Sequence, residues 1–136
     1  MGRLKSPKNK GDQYERELAK FLDEHIFDED RQRVLRAPLS GGGRSFEHGG
    51  GMDVYGCPDI WIEAKRTEKF KVYPSIEQAE NGIAAKGSGD IPVVFNRRNQ
   101  MKTEDSAVVM RLGDWIKLYR AYLKAKGYKI KDDFTK

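Results

Sequence analysis

At 136 residues with 38% hydrophobic and 35% charged side chains, the chain can bury one core, and its apolar residues fall in short periodic runs, so wholesale disorder is excluded. The balance of 26 Lys and Arg against 21 Asp and Glu gives a net charge of +5 and a pI near 9.3, favouring an anionic partner. Lone Cys57 rules out a disulfide framework and zinc-type spacing, and no apolar run approaches the ~20 residues of a membrane span, so the chain reads as soluble and intracellular.

Residues 1–10 are polar and basic and read as a loose arm, leaving 11–136 as a single domain. A helix is predicted from Asp12 as N-cap, with Leu18, Leu22 and Ile26 at helical spacing. Arg33–Ala37 reads as a short strand running into "PLSGGGRSFEHGGGM", a loop with two glycine triplets. Asp53–Tyr55 and Asp59–Lys65 then form two strands joined by a turn at Gly56-Cys57-Pro58. "SIEQAENGIAAK" (75–86) predicts a helix capped by Ser75 and weakened by Gly82. "IPVVF" (91–95) and "AVVMRL" (107–112) read as buried strands. Asp114 caps a last amphipathic helix with Trp115, Leu118, Tyr119 and Tyr122 on one stripe, for which core packing is favoured over an interface. The order predicts an α/β or α+β domain, one mixed sheet flanked by helices.

Three clusters of cations fall in windows free of acids: Arg3 to Lys10; Arg31, Arg33, Arg36 and Arg44; and Lys117, Arg120, Lys124, Lys126, Lys129 and Lys131. Any one of them reads equally as a solvated face; together they tilt toward nucleic acid.

The chemistry concentrates in "DVYGCPDIWIEAK" (53–65). Side chains alternate along a strand, so Ile60, Ile62 and Ala64 face a core while Trp61, Glu63 and Lys65 share the other face. The hairpin returns Asp53 beside Glu63. Two converging carboxylates repel unless a cation lies between them, and oxygen-only ligands select a hard ion such as Mg²⁺ or Mn²⁺. Such an ion suits phosphodiester cleavage, with Lys65 orienting the attacking water or steadying charge on the phosphate. For an isolated E-x-K, an ordinary exposed ion pair on a sheet edge is the favoured explanation; Asp53 at the start of the partner strand raises the value of the triplet. Glu15 lies within the helical arc of Leu18, Ala19 and Leu22 and reads either as an outer metal ligand or as the partner of Asp12 in a capping box. The "PD" at 58–59 is a decoy: Asp59 stands four residues before Glu63, ~13 Å away at strand rise. His25 and His48 read as bystanders.

"KGDQYERELAKFL" (10–22), Arg36 with "LSGGG" (39–43), and Asp53 ten residues before the Glu of "IEAK" resemble the archaeal-type Holliday junction resolvases of the PD-(D/E)XK nuclease superfamily. "DVYGCPDIWIEAKRTEKF", "SIEQAE" and "IPVVFNRRN" are similar to phage-type members, and the likeness spans roughly residues 10–112. The resemblance implies a restriction-endonuclease-like α/β fold, a homodimer, Mg²⁺, and cleavage of four-way DNA junctions by paired nicks that leave 5′-phosphates. It implies an active site of Glu15, Asp53, Glu63 and Lys65, with Ser40 close to the scissile phosphate and Gln78 nearby. Arg33, Arg36, Arg44, Arg66, Arg97 and Arg98 would then hold the DNA backbone without reading bases. The segment "EHIFDEDRQRV" and the second glycine triplet depart from the family pattern. A less selective repair or restriction-type nuclease is the nearest alternative. A non-catalytic nucleic-acid-binding protein is the alternative of another class.

Overall fold

The computed structural model describes residues 7–37 and 51–132. Ser40, Arg44, His48 and most of the glycine-rich loop lie outside them. The elements run α1 (Pro7–Ile26), β1 (Leu35–Arg36), β2 (Val54–Tyr55), β3 (Ile60–Lys65), α2 (Val72–Lys86), β4 (Ile91–Asn96), a 3-10 turn (Thr103–Asp105), β5 (Ala107–Val109) and α3 (Leu112–Ala125). The strands form one sheet in the order β1-β2-β3-β4-β5. β3 and β4 are parallel and joined through α2, while the other three pairings are antiparallel. This is the α/β architecture with one mixed sheet that the sequence implied.

Each helix begins earlier than its cap signals suggest. α1 starts at Pro7, a residue suited to a first turn whose N–H groups lack helical partners, so the last residues of the expected arm are helical. Asp12 is not its cap: it sits inside the helix and binds Arg36. α2 starts at Val72, after Lys71, so Ser75 is a buried interior residue rather than the N-cap; Gly87, at φ +64°, closes the helix. α3 starts at Leu112, with Asp114 in its first turn.

Two layers cover the sheet. On one face Tyr14, Leu18 and Ala19 of α1 pack on Val34, Val54, Ile62, Ala64, Val93 and Phe95. Val54 and Ile62 are fully buried, and each contributes roughly 1.5–3 kcal/mol of transfer free energy. The other face of β3 and β4 carries Trp61, Glu63 and Val94 beneath Ile76 and Ala79 of α2, all of them buried. The turn into β3 needs Gly56: at φ +109°, a Cβ there would lie 2.3 Å from the Arg33 carbonyl oxygen.

The last helix departs from expectation. No residue of α3 is buried, and Trp115, Leu118, Tyr119 and Tyr122 are 44–56% exposed. The predicted core packing of this stripe is therefore not what the chain does with it. β5 is also shorter than the run "AVVMRL", because Arg111 leaves the strand to bind Glu80 of α2 with two nitrogens, at 2.9 and 3.1 Å.

Candidate active site

The site forms where β2 meets β3. The Asp53 amide donates to the Ile62 carbonyl at 2.8 Å, and the Asp53 carbonyl accepts from the Ala37 amide at 2.8 Å. These bonds fix the backbone of Asp53 between β1 and β3. Its Oδ2 accepts the Ala64 amide at 2.8 Å, which turns the carboxyl group toward β3. Val54 pairs with Ile62, so the register sets Asp53 against Glu63.

Glu63 is 4% exposed, an unusual burial for a carboxylate. The indole N–H of Trp61 donates to its Oε2 at 3.2 Å. Trp61 is itself buried, seated where α2 carries Gly82: a Cβ on that glycine would stand 2.5 Å from Trp61 Cζ2. Gly82 is thus the place where α2 makes room for the ring that holds Glu63. The sequence marked Gly82 only as a weakness of the helix. It placed Trp61 on Glu63's face without giving it a role; the two-residue spacing on one strand face was the available signal.

The electrostatics follow from this burial. The Asp53 carboxyl is pushed up to about 7, first by burial and then by repulsion from Glu63, against the pull of the Ala64 amide and Lys65. Glu63 is also raised, by burial foremost, against hydrogen bonds from Trp61 and Asp53 and the charge of Lys65. The register brings the two carboxyl groups side by side, and each shifts the other. Glu15 feels both burial and the charge of Asp53, and it is raised despite its contact with Arg36.

Glu15 is drawn close but held differently. Its Oε1 accepts from Arg36 at 2.9 Å, and the same guanidinium nitrogen binds Asp12 at 3.0 Å. The capping box gives way to this half-buried ion triad, since Asp12 lies inside α1, and Glu15 still stands near enough to Asp53 for their charges to oppose each other. Among the described residues no three His, Cys, Asp or Glu side chains form a group that would hold a metal ion by themselves. The Asp53–Glu63 pair nonetheless fits one: its donors are hard oxygens, burial raises both carboxyl groups in a way an adjacent cation would offset, and Mg²⁺ characteristically uses one or two carboxylates with water and substrate phosphate completing its shell.

Lys65 ends the same strand, and its Nζ donates to Gln78 Oε1 on α2 at 2.5 Å. Ser40 and Arg44 lie outside the described residues. Four of the other arginines expected at DNA are engaged within the chain. Arg33 binds the Gly56 carbonyl at 2.9 Å and Glu29 at 3.0 Å; Arg36 holds Asp12 and Glu15. Arg66 pairs with Glu68 and Asn99, and Arg97 with Glu17 at 3.1 Å over the Tyr14 ring. Arg98 is exposed. An open groove of about 510 Å³, lined by Arg16, Ala19, Lys20, Gln32, Leu35 and Arg36, runs between α1 and β1 beside the Glu15 carboxylate. Arg16 and Lys20, exposed on α1, supply cations there that the sequence reading passed over.

Residues 6–100 match the family described as archaeal Holliday junction resolvase (Hjc), a span that includes Glu15, Asp53, Glu63, Lys65 and Gln78 and stops before β5 and α3. No curated protein and no solved structure matches the chain. With most of its length matched to that one family, and with a mixed sheet presenting paired carboxylates at the hairpin, the chain belongs to the archaeal Holliday junction resolvases, a family of DNA endonucleases.

Proposed function

We propose that the protein is a structure-selective, divalent-metal-dependent endonuclease of the PD-(D/E)XK superfamily, phage-type in its catalytic stretch, that resolves four-way DNA junctions as a homodimer. It does so by paired symmetric nicks that leave 5′-phosphates. The observation that carries this reading is the juxtaposition of two carboxyl groups, buried Glu63 and half-buried Asp53, across the β2–β3 register beside Lys65.

Asp53 and Glu63 would hold a Mg²⁺ ion, with Mn²⁺ as substitute, and once bound it supplies charge neutralisation at the scissile phosphate and a lowered pKa for water. Asp53, whose carboxyl group is pushed up to about 7 by burial and a like charge, would serve as a ligand in its ionised form, which an adjacent cation favours. Trp61 keeps the Glu63 carboxylate aimed by its indole N–H. Lys65, steadied by Gln78, points its ammonium where it orients the attacking water and offsets charge growing on the phosphate. Water adds to phosphorus and the bond to O3′ breaks, so phosphate stays on the 5′ end and the other end leaves as a hydroxyl. Glu15, locked to Arg36, walls the site on the α1 side and adds negative charge that favours cation entry. The groove carrying Arg16, Lys20 and Arg36 offers a track for the DNA backbone.

The test is cleavage of a labelled synthetic four-way junction with Mg²⁺, with linear duplex as competitor, repeated with EDTA and with Asp53→Asn. Expected are symmetric nicks near the crossover that persist in excess duplex and vanish with chelation and in the variant, while the variant still shifts the junction in Ca²⁺. Junction that stays uncut and bound in all three reactions overturns the enzyme reading.

A further inference from the structure

The geometry points to the aromatic stripe of α3 as the surface on which a second copy of this chain docks. The inference extends the homodimeric reading above by locating the interface, and it concerns a helix outside the matched span 6–100.

At about 100° per residue, Leu112, Trp115, Leu118, Tyr119 and Tyr122 share an arc of roughly 120° on α3. They are 69, 46, 45, 44 and 56% exposed. Beside the start of the helix, Tyr73 is 64% exposed, and Arg111, pinned to Glu80, covers its ring at 5.8 Å. Together these six side chains leave on the order of 600–700 Å² in solvent, above the largest apolar patch usual on a monomer and close to the ~800 Å² each partner of a stable pair buries once a polar rim is added. Ile116 and Leu123, the half-buried apolar residues of α3, border this arc just past its Leu112 edge.

The stripe suits an apolar partner better than DNA. Lys117, Arg120 and Lys124 fall on the arc opposite to it, and the cations that touch the patch stand at its two ends, Arg111 over the Tyr73 ring and Lys126 over the Tyr122 ring, each at 5.8 Å. The rings of Trp115 and Tyr119 stack at 4.8 Å and those of Tyr119 and Tyr122 at 6.3 Å, so their faces already serve one another instead of standing open to bases. An aromatic-rich patch with cations at its ends is the composition of an interface core with its rim. A two-fold axis through it would make the same patch meet itself and leave both rows of lysines outward, toward the anionic substrate. Two sites related by such an axis are what opposing cuts on a junction require.

The experiment is sedimentation velocity on the full chain, wild type against the double variant Trp115→Glu with Tyr119→Glu, with circular dichroism and thermal melting as fold checks. Wild type is expected at twice the 15.6 kDa chain mass, and the variant at one chain mass with an unchanged spectrum. A variant that remains dimeric overturns this inference and leaves the homodimeric reading standing; a monomeric wild type overturns both. A variant that stays dimeric but loses junction binding assigns the stripe to DNA and also overturns the inference. Should the double variant not fold, a short thiol cross-linker decides: in a Cys57→Ser background, Leu118→Cys is expected to join two chains and Lys124→Cys is not. The reverse pattern, or no joining at Leu118→Cys, rejects the interface.

Discussion

The two faces of β3 are made from one six-residue strand, and they do opposite things. Toward α1, Ile62 and Ala64 join an apolar core with Tyr14, Leu18, Val54, Val93 and Phe95. Toward α2, Trp61, Glu63 and Lys65 mix an aromatic ring with two ionisable groups, one of them 4% exposed, and Asp53 comes alongside. Burial stabilises the first face. On the second, burial raises the carboxyl groups of both Asp53 and Glu63, so in the metal-free protein their ionised forms oppose folding. One face of the strand holds the fold and the other keeps two acids in a state that a cation would relieve.

Substitutions on the two faces should therefore separate stability from activity. The largest effect expected is on the charged face: Asp53→Asn should lower junction cleavage by at least ~10²-fold. The same change should flatten the pH dependence of metal-free stability. Asp53 holds its proton more tightly folded than unfolded between about 4 and about 7, so wild-type stability should fall as pH rises through that window, and urea melts at pH 5 and pH 8 should show this loss shrinking in the variant. A melt that is equally pH-sensitive in both proteins would contradict the assignment. On the apolar face, Ile62→Ala should cost about 2–4 kcal/mol by denaturant unfolding, while cleavage well below the melting temperature stays within about threefold of wild type.

The contact between Trp61 and Gly82 joins the two behaviours and sharpens the contrast. Gly82→Ala drives a Cβ into the indole, and should cost about 1–3 kcal/mol in stability and also reduce cleavage, since the displaced ring no longer aims Glu63. Trp61→Phe is milder. It keeps an aromatic ring and removes the N–H to Glu63, and should raise the Mg²⁺ concentration that cleavage requires by about tenfold with little change in the melt. Equal loss of stability in both variants, without a shift in the Mg²⁺ requirement, would make Trp61 a core residue and nothing more.

Much of this was legible in the sequence because strand alternation is rigid: once "DIWIEAK" is read as a strand, Ile62 and Glu63 must part to opposite faces, and a short hairpin must bring Asp53 back. Helix starts were read less well, for a common reason. Asp12 and Ser75 have the chemistry of caps, but Asp12 is spent on Arg36 and Ser75 is buried, contacts made across the fold that local preference cannot reveal. The fate of Glu15 was hidden the same way, because its partner Arg36 lies 21 residues on, in β1. Arg33, Arg36, Arg66 and Arg97 looked like a phosphate-binding set from charge alone, whereas acids distant in sequence had already engaged Arg36 and Arg97. The stripe of α3 shows the limit of amphipathic pattern: it announces that a face seeks cover, not which molecule covers it.

The most direct test of the paired-carboxylate site is thermal melting at pH 8, where Asp53 is mostly ionised, with and without Mg²⁺. The account predicts that the ion raises the melting temperature of wild type and leaves Asp53→Asn unmoved. No ion-dependent shift in wild type, or an equal shift in the variant, would show that these two acids do not hold the cation.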